Sequence, residues 1–213
     1  SLVGSEMCIR DSVTLGHNLL AITEDSKESQ QPWITPKGNI LVYNGEIFNY
    51  YALLKKHLTF TPRTQCDTEL LAWGLDQYGI DFVNEIDSMH SFAYYDIANK
   101  KIYLSRDHAG IKPLHYAEIK EGIVFGSEIK GMIDKVPNAT TIDQLAMSCY
   151  SLSGVNVTQN TFFTNIKKVL AGQTLMFDIA NKNLSLCRKN IVYPHASESC
   201  LLYTSDAADD SGC

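Results

Sequence analysis

The sequence predicts an α+β fold in which antiparallel sheets are covered by helices. Two observations carry that prediction. Beyond Ser91, short runs alternate apolar and polar residues and come in pairs joined by turn residues, the pattern of hairpins. Before and between these pairs lie segments whose apolar residues fall three and four apart, the pattern of helices. A parallel sheet would instead alternate single strands with long crossover helices.

Taken in order, Val13 to Thr23 mixes apolar and polar residues as a strand does and leads through a polar loop, Glu24 to Gln31, to Pro32 and Pro36. Asn39 to Tyr43 is an apolar run after Lys37-Gly38 and predicts a buried strand that ends at a glycine-containing turn. Tyr50 to Leu58 has helical spacing. Asp67 can cap a second helix, along one face of which fall Leu70, Leu71, Gly74, Leu75 and Tyr78. Phe92, Tyr94 and Asp96 alternate with Ala93, Tyr95 and Ile97 before Ala98-Asn99-Lys100 turns the chain into Lys101 to Ser105. Leu114 to Ile119 with Ile123 to Gly126 make a second hairpin, and Thr174 to Ile179 with Leu184 to Arg188 a third. Ile142 to Tyr150 reads as a short helix between them.

The chain of 213 residues, 45% of them hydrophobic, is long enough for one substantial core. Its 18 basic and 24 acidic residues are scattered, with no Lys/Arg stripe of the kind that nucleic acid or anionic lipid requires. No window approaches the roughly 20 apolar residues of a membrane span, and no secretory signal pattern opens the sequence. Cys8, Cys66, Cys149, Cys187, Cys200 and Cys213 are dispersed without a CxxC pair, against both a zinc site and a disulfide framework. A reducing cytoplasm is the expected compartment.

The two ends are expected to stand apart from the domain. Residues 1–12, SLVGSEMCIRDS, and the segment that opens 200–213, CLLYTSDAADD, resemble the two translations of a transposase-type sequencing adapter, one from each strand. The codons TGT CTC TTA TAC ACA TCT give Cys200 to Ser205, and the reverse complement contains ATG TGT ATA AGA GAC AG, which gives Met7 to Ser12. Removing these segments leaves charge nearly balanced and an interpretable protein of 13–199, with both natural ends expected to be cut away.

Four ordered stretches carry chemistry: NILVYNGEIFNYYAL from Asn39, CDTELLAWGL from Cys66, SFAYYDIANKKIYLSRDHAGIKPLHY from Ser91, and FGSEIKGM from Phe125. Together they resemble, in order and spacing, the N-terminal class II glutamine amidotransferase domain of glutamine-hydrolysing asparagine synthetases. The resemblance covers most of 13–199. It implies an N-terminal-nucleophile fold, an αββα sandwich of two antiparallel sheets between helix layers, here incomplete at the N-terminus.

It also implies a division of labour. The family attacks glutamine with the thiolate of an N-terminal cysteine whose own α-amino group is the base. The amide carbonyl becomes an oxyanion and needs waiting donors. These match the Asn44 side chain and the Gly45 backbone N–H, where the lack of a Cβ lets the backbone approach the substrate. Glu46 and Asp67 match the pair of carboxylates facing the α-ammonium. The substrate carboxylate is where the pattern breaks, because Leu15 to Ile22 places Leu19 where an arginine is usual. Either another cation such as Arg63 substitutes, or backbone groups near Leu20 and Ile22 suffice, or glutamine binds poorly here. A lost charge-assisted contact costs on the order of 2–5 kcal/mol.

Cys8 imitates the family's initiator-plus-cysteine start, but it lies too close to His17 for the intervening elements and is embedded in the chain. Cys66 reads as a small filler beside Asp67, and Cys149 and Cys187 as ordinary buried thiols. The chain is therefore expected to lack its nucleophile and to be inactive as it stands. Arg106 to Leu114 and Ser127 to Lys130 resemble stretches near the junction with a C-terminal synthetase domain. No Ser-Gly-Gly-Leu-Asp-Ser loop occurs, so ATP and Mg belong to that missing domain and no cofactor is expected in this one. The parent reads as a ligase that makes asparagine with ammonia from glutamine, its partners being glutamine and the synthetase domain, with a homo-oligomer left open. Two alternatives stand beside it: a glutaminase serving another acceptor, of amidophosphoribosyltransferase or glucosamine-6-phosphate synthase type, and a catalytically dead ligand-binding domain.

Overall fold

The computed structural model describes residues 5–10, 13–18 and 30–189. Strands β1 (Ser5–Arg10) and β2 (Val13–Asn18) pair antiparallel, with Cys8 opposite Leu15. The segment set apart as adapter-like thus contains a strand, which fixes where its backbone lies and not where its codons came from. Residues 200–213 lie outside the described part.

A six-stranded sheet forms the centre. It is built from β3 (Trp33–Ile34), β4 (Ile40–Ile47), β5 (Ser88–Asp96), β6 (Lys101–Arg106), β10 (Gln173–Asp178) and β11 (Asn183–Lys189), in the order β11-β10-β6-β5-β4-β3. A three-stranded sheet follows, of β7 (His115–Ile119), β8 (Gly122–Gly126) and β9 (Lys167–Lys168), in the order β8-β7-β9. All pairs are antiparallel. The three predicted hairpins are β5-β6, β7-β8 and β10-β11.

The two-residue alternation sorts the side chains between two cores. Leu41, Tyr43, Ile47, Phe92 and Tyr94 face α1 (Tyr50–Lys56) and α2 (Asp67–Tyr78), packing on Leu53, Leu70, Leu71, Leu75 and Phe82. Ile40, Ala93, Tyr95, Leu104, Leu175 and Phe177 point the other way, onto Val13 and Leu15 of β2 and onto Leu114 and Tyr116 at β7. The far face of β7 and β8 is closed by Met132, Val136 and Ile166. Each fully buried aliphatic side chain contributes about 1.5–3 kcal/mol of transfer free energy. The layers are helix, sheet, sheet and helical turns with α3 (Gln144–Ser153), the αββα sandwich.

Two local expectations change. The run from Asn39 does not turn at Asn44-Gly45: β4 carries straight through them, with Asn44 opposite Ser91, Gly45 opposite His90 and Ile47 opposite Ser88. Asp67 is the first helical residue of α2 and not its cap; the cap position is Cys66, with no side-chain cap bond, because the Asp67 carboxylate is turned towards β4. The helix ends at Gly79, whose φ of 67° suits a residue without a Cβ. Asp143 caps α3, accepting from the Ala146 N–H at 2.8 Å.

Candidate active site

The site is built around the end of β4. Asn44 projects between the two sheets, where it lines a cavity of about 90 Å³. His17 of β2, Ser91 of β5, and Gly126 and Ser127 after β8 share that lining, with Val42, Ala93, Leu114 and Phe125 as its apolar walls. His17 follows Val13 and Leu15 in the period of two, so its ring points into the same inter-sheet space.

The peptide before Asn44 is held from two sides. The buried Gln31 side chain acts as a short piece of strand, its Nε2 donating to the Tyr43 carbonyl at 3.0 Å and its Oε1 accepting the Tyr43 N–H at 2.6 Å. Gln31 Nε2 also reaches Thr68 Oγ1 of α2 at 3.4 Å, which ties the strand bearing Asn44 to the helix bearing Asp67. The same Tyr43 carbonyl accepts from the His17 ring.

Gly45 is required by its neighbours. A Cβ there would meet the Met89 carbonyl oxygen at 2.3 Å, Tyr43 Cε2 at 2.8 Å and His90 Cα at 2.9 Å. The close approach that this glycine permits is to β5, in addition to whatever the substrate needs.

Asp67 is drawn to β4 by two donors, the Tyr43 hydroxyl and the Ile47 N–H, both at 3.0 Å from Oδ2. Burial nevertheless raises its carboxyl above the usual range: the Ile47, Tyr43 and Thr68 donors oppose that rise, and neighbouring Glu46 adds to it. No ion pair to Asp67 occurs among the described residues. Two carboxylates thus stand beside each other, Asp67 half-buried and Glu46 exposed, and neither is ion-paired to a cation among the described residues. Tyr43 stays a donor throughout, since burial and then Asp67 push its hydroxyl far upward.

Of the predicted site residues, the structure brings Asn44 into the cavity and sets Glu46 beside Asp67, while Ile22 lies outside the described residues, as do Leu19 and Leu20. Arg63 is already committed: its backbone N–H and Nε bind the Glu69 carboxylate, each at 3.0 Å, and its guanidinium sits 5.7 Å from the centre of the Trp33 ring. Cys8 is an internal residue of β1, so its nitrogen is a peptide nitrogen. Cys66 is buried, as read from the sequence, whereas Cys149 is half-buried and Cys187 exposed. His17, Ser91, Ser127, Tyr43 and Gln31 were not singled out by sequence reasoning; only His17 left a signal, its alternation with Val13 and Leu15.

The Arg106 loop is braced by its own charges. Arg106 donates to the carbonyls of Lys112, Val169 and Gly110 at 2.7–2.8 Å. Asp107, 1% exposed, accepts from the N–H groups of His90, Ala109, Ile111 and Lys112. A larger cleft of about 410 Å³, lined in part by Ser88, His90 and Thr174, lies elsewhere on the molecule, and none of Asn44, Gly45, Glu46 and Asp67 lines it. No group of three or more His, Cys, Asp or Glu able to hold a metal occurs among the described residues. No helix among them is long and apolar enough to cross a membrane.

An αββα sandwich with an asparagine amide between its sheets and paired carboxylates at the same strand end has the architecture of the N-terminal-nucleophile amidotransferases. Two solved structures share the fold. Glutamine phosphoribosylpyrophosphate amidotransferase from B. subtilis, complexed with ADP and GMP, superposes with a TM-score of 0.56 at 17% identity, over 84% of this chain and 35% of that one. An allosteric regulatory enzyme of purine biosynthesis gives 0.56 at 18%. Residues 4–188 match the glutamine amidotransferase domain family, and the chain belongs to it.

Among curated relatives, a putative asparagine synthetase [glutamine-hydrolyzing] 2 of Methanocaldococcus jannaschii is 30% identical over 81% of this chain and 37% of its own length. Asparagine synthetase [glutamine-hydrolyzing] 2 of Bacillus subtilis is 34% identical over 73% of this chain and 22% of its own. The chain therefore spans between a fifth and two fifths of these relatives.

Proposed function

We propose that this chain is the glutamine-binding portion of a glutamine-hydrolysing asparagine synthetase, in which ammonia released from glutamine amidates aspartate at an ATP-dependent site. One observation carries the reading: on strand β4, Asn44 lines a small inter-sheet cavity while Glu46 neighbours Asp67 with no ion pair to either among the described residues. In this assignment Asn44 and the Gly45 N–H receive the oxyanion, and Glu46 and Asp67 receive the α-ammonium, whose charge offsets the burial that raises Asp67. Backbone groups near Leu20 and Ile22 take the substrate carboxylate, since Arg63 is held by Glu69. The curated relatives are named asparagine synthetases, which supports aspartate as the acceptor; in this proposal ATP and Mg²⁺ belong to a synthetase part outside this chain, and the enzyme works in the cytoplasm. Segments 1–12 and 200–213 are assigned to adapter sequence, leaving 13–199 as the amidotransferase portion; recovering the same codons at both ends from an independently prepared library would refute that.

Calorimetric titration with L-glutamine tests the central claim. The chain is expected to bind glutamine, and Asp67→Asn to weaken it about tenfold, the loss of roughly one charge-assisted contact. Absence of binding at millimolar glutamine overturns the reading. The acceptor is tested on a protein extended to the relatives' length, where any amidated product other than asparagine refutes the choice of aspartate.

A further inference from the structure

The cavity holds one polar atom that the reading above leaves unused. His17 Nδ1 is buried, lines the space entered by Asn44, and has no hydrogen-bond partner among the described residues. An orphaned buried polar atom costs about 1–3 kcal/mol, so a site that keeps one has a use for it or a ligand to fill it. Since Nδ1 has no partner, the ring's bond to the Tyr43 backbone is assigned to Nε2, donating to the carbonyl that also accepts from Gln31 Nε2 at 3.0 Å. That bond fixes the tautomer. Nδ1 then carries a lone pair and no hydrogen, and is an acceptor aimed into the cavity. Burial lowers the pKa of the ring, which keeps it neutral around neutral pH.

The same cavity is lined by Asn44, whose amide offers N–H donors. Donor and acceptor line a cavity of about 90 Å³, several times the roughly 10–15 Å³ that admits a single water. A carboxamide has three heavy atoms and presents a carbonyl acceptor beside an NH₂ donor. The walls of Val42, Ala93, Leu114 and Phe125 suit the methylene that leads to it.

We infer that His17 Nδ1 accepts a hydrogen bond from the side-chain NH₂ of bound glutamine and, with Asn44 on the carbonyl oxygen, makes the cavity specific for a carboxamide over a carboxylate. Glutamate would set an anionic oxygen against the Nδ1 lone pair, and a site built to receive an N–H rejects an analogue that lacks it. His17 is thus a substrate-contacting specificity residue. The inference rests on the glutamine reading and adds the basis of its selectivity.

The test is a ligand series titrated into the whole chain at pH 8: L-glutamine, L-glutamate and 5-oxo-L-norleucine, the methyl ketone that keeps the carbonyl and replaces NH₂ by CH₃. Wild type is expected to bind glutamine at least tenfold more tightly than either analogue. His17→Leu should bind glutamine about tenfold less tightly and no longer separate it from the ketone, with its far-UV circular dichroism checked against wild type. Should that variant fail to fold, the wild-type series decides, since equal affinity for amide and ketone overturns the inference. Binding of glutamine with the same selectivity in His17→Leu overturns it too, while leaving the glutamine reading intact. Wild type binding none of the three refutes both.

Discussion

His90 is buried in the six-stranded sheet at 4% exposure, with Ser88 Oγ 2.8 Å from Nδ1 and Ser105 Oγ 3.3 Å from Nε2. Desolvation dominates its titration and pushes it down to about 4; Asp107 favours the charged form but is outweighed, and His108 disfavours it. An unfolded histidine titrates near 6.5. Between those values the unfolded chain binds the proton and the folded chain does not, so stability is complete above about 6.5 and is lost as pH falls towards 4. From pH 7 to pH 4.5 the two titrations predict a loss on the order of 2 kcal/mol from this one group. Asp67, whose carboxyl is raised in the fold, acts with the opposite sign over part of the same range. The informative quantity is therefore a difference between proteins. Urea unfolding of wild type and His90→Gln at both pH values should show the wild type losing about 2 kcal/mol more than the variant. Parallel losses, within about 0.5 kcal/mol, would mean that His90 is not held neutral by burial.

Gly45→Ala is expected to cost about 1–3 kcal/mol in urea unfolding, because the new methyl meets the Met89 carbonyl and the His90 Cα, both backbone. A change below about 0.5 kcal/mol would show that β4 and β5 separate freely at this point. Asp107→Asn turns one acceptor oxygen into a donor against four backbone N–H groups, and should destabilise by about 3 kcal/mol; an unchanged urea midpoint contradicts the brace. Cys66, Cys149 and Cys187 do not line the cavity, and Cys8, inside β1, has no α-amino group to act as base, so the purified chain is expected to bind glutamine without hydrolysing it. Ammonia release above a heat-killed control refutes that expectation.

The local elements were legible in the sequence because they obey short-range rules. The alternation of Phe92 to Ile97 against Lys101 to Ser105, with turn residues between, admits few structures other than a hairpin, and Leu70, Leu71, Gly74 and Leu75 do fall on one buried face of α2. Asn44-Gly45 misled because the pair has the composition of a turn. Only its long-range partner, β5 with the Met89 carbonyl filling the space of a Cβ, keeps the chain extended there.

The sequence by itself determined the kinds of element and their order, and its resemblance to a family singled out Asn44, Gly45, Glu46 and Asp67 as the candidate site. Tertiary structure alone decided which of these act together and which are occupied elsewhere. His17 and Asn44 line one cavity, Gln31 holds the Tyr43 peptide before Asn44, and Arg63 is given to Glu69. The physical reason is that periodicity assigns a side chain to a face, whereas sheet pairing and layer packing decide what stands opposite that face. Those contacts join residues far apart in the chain and leave no trace in the spacing of either partner.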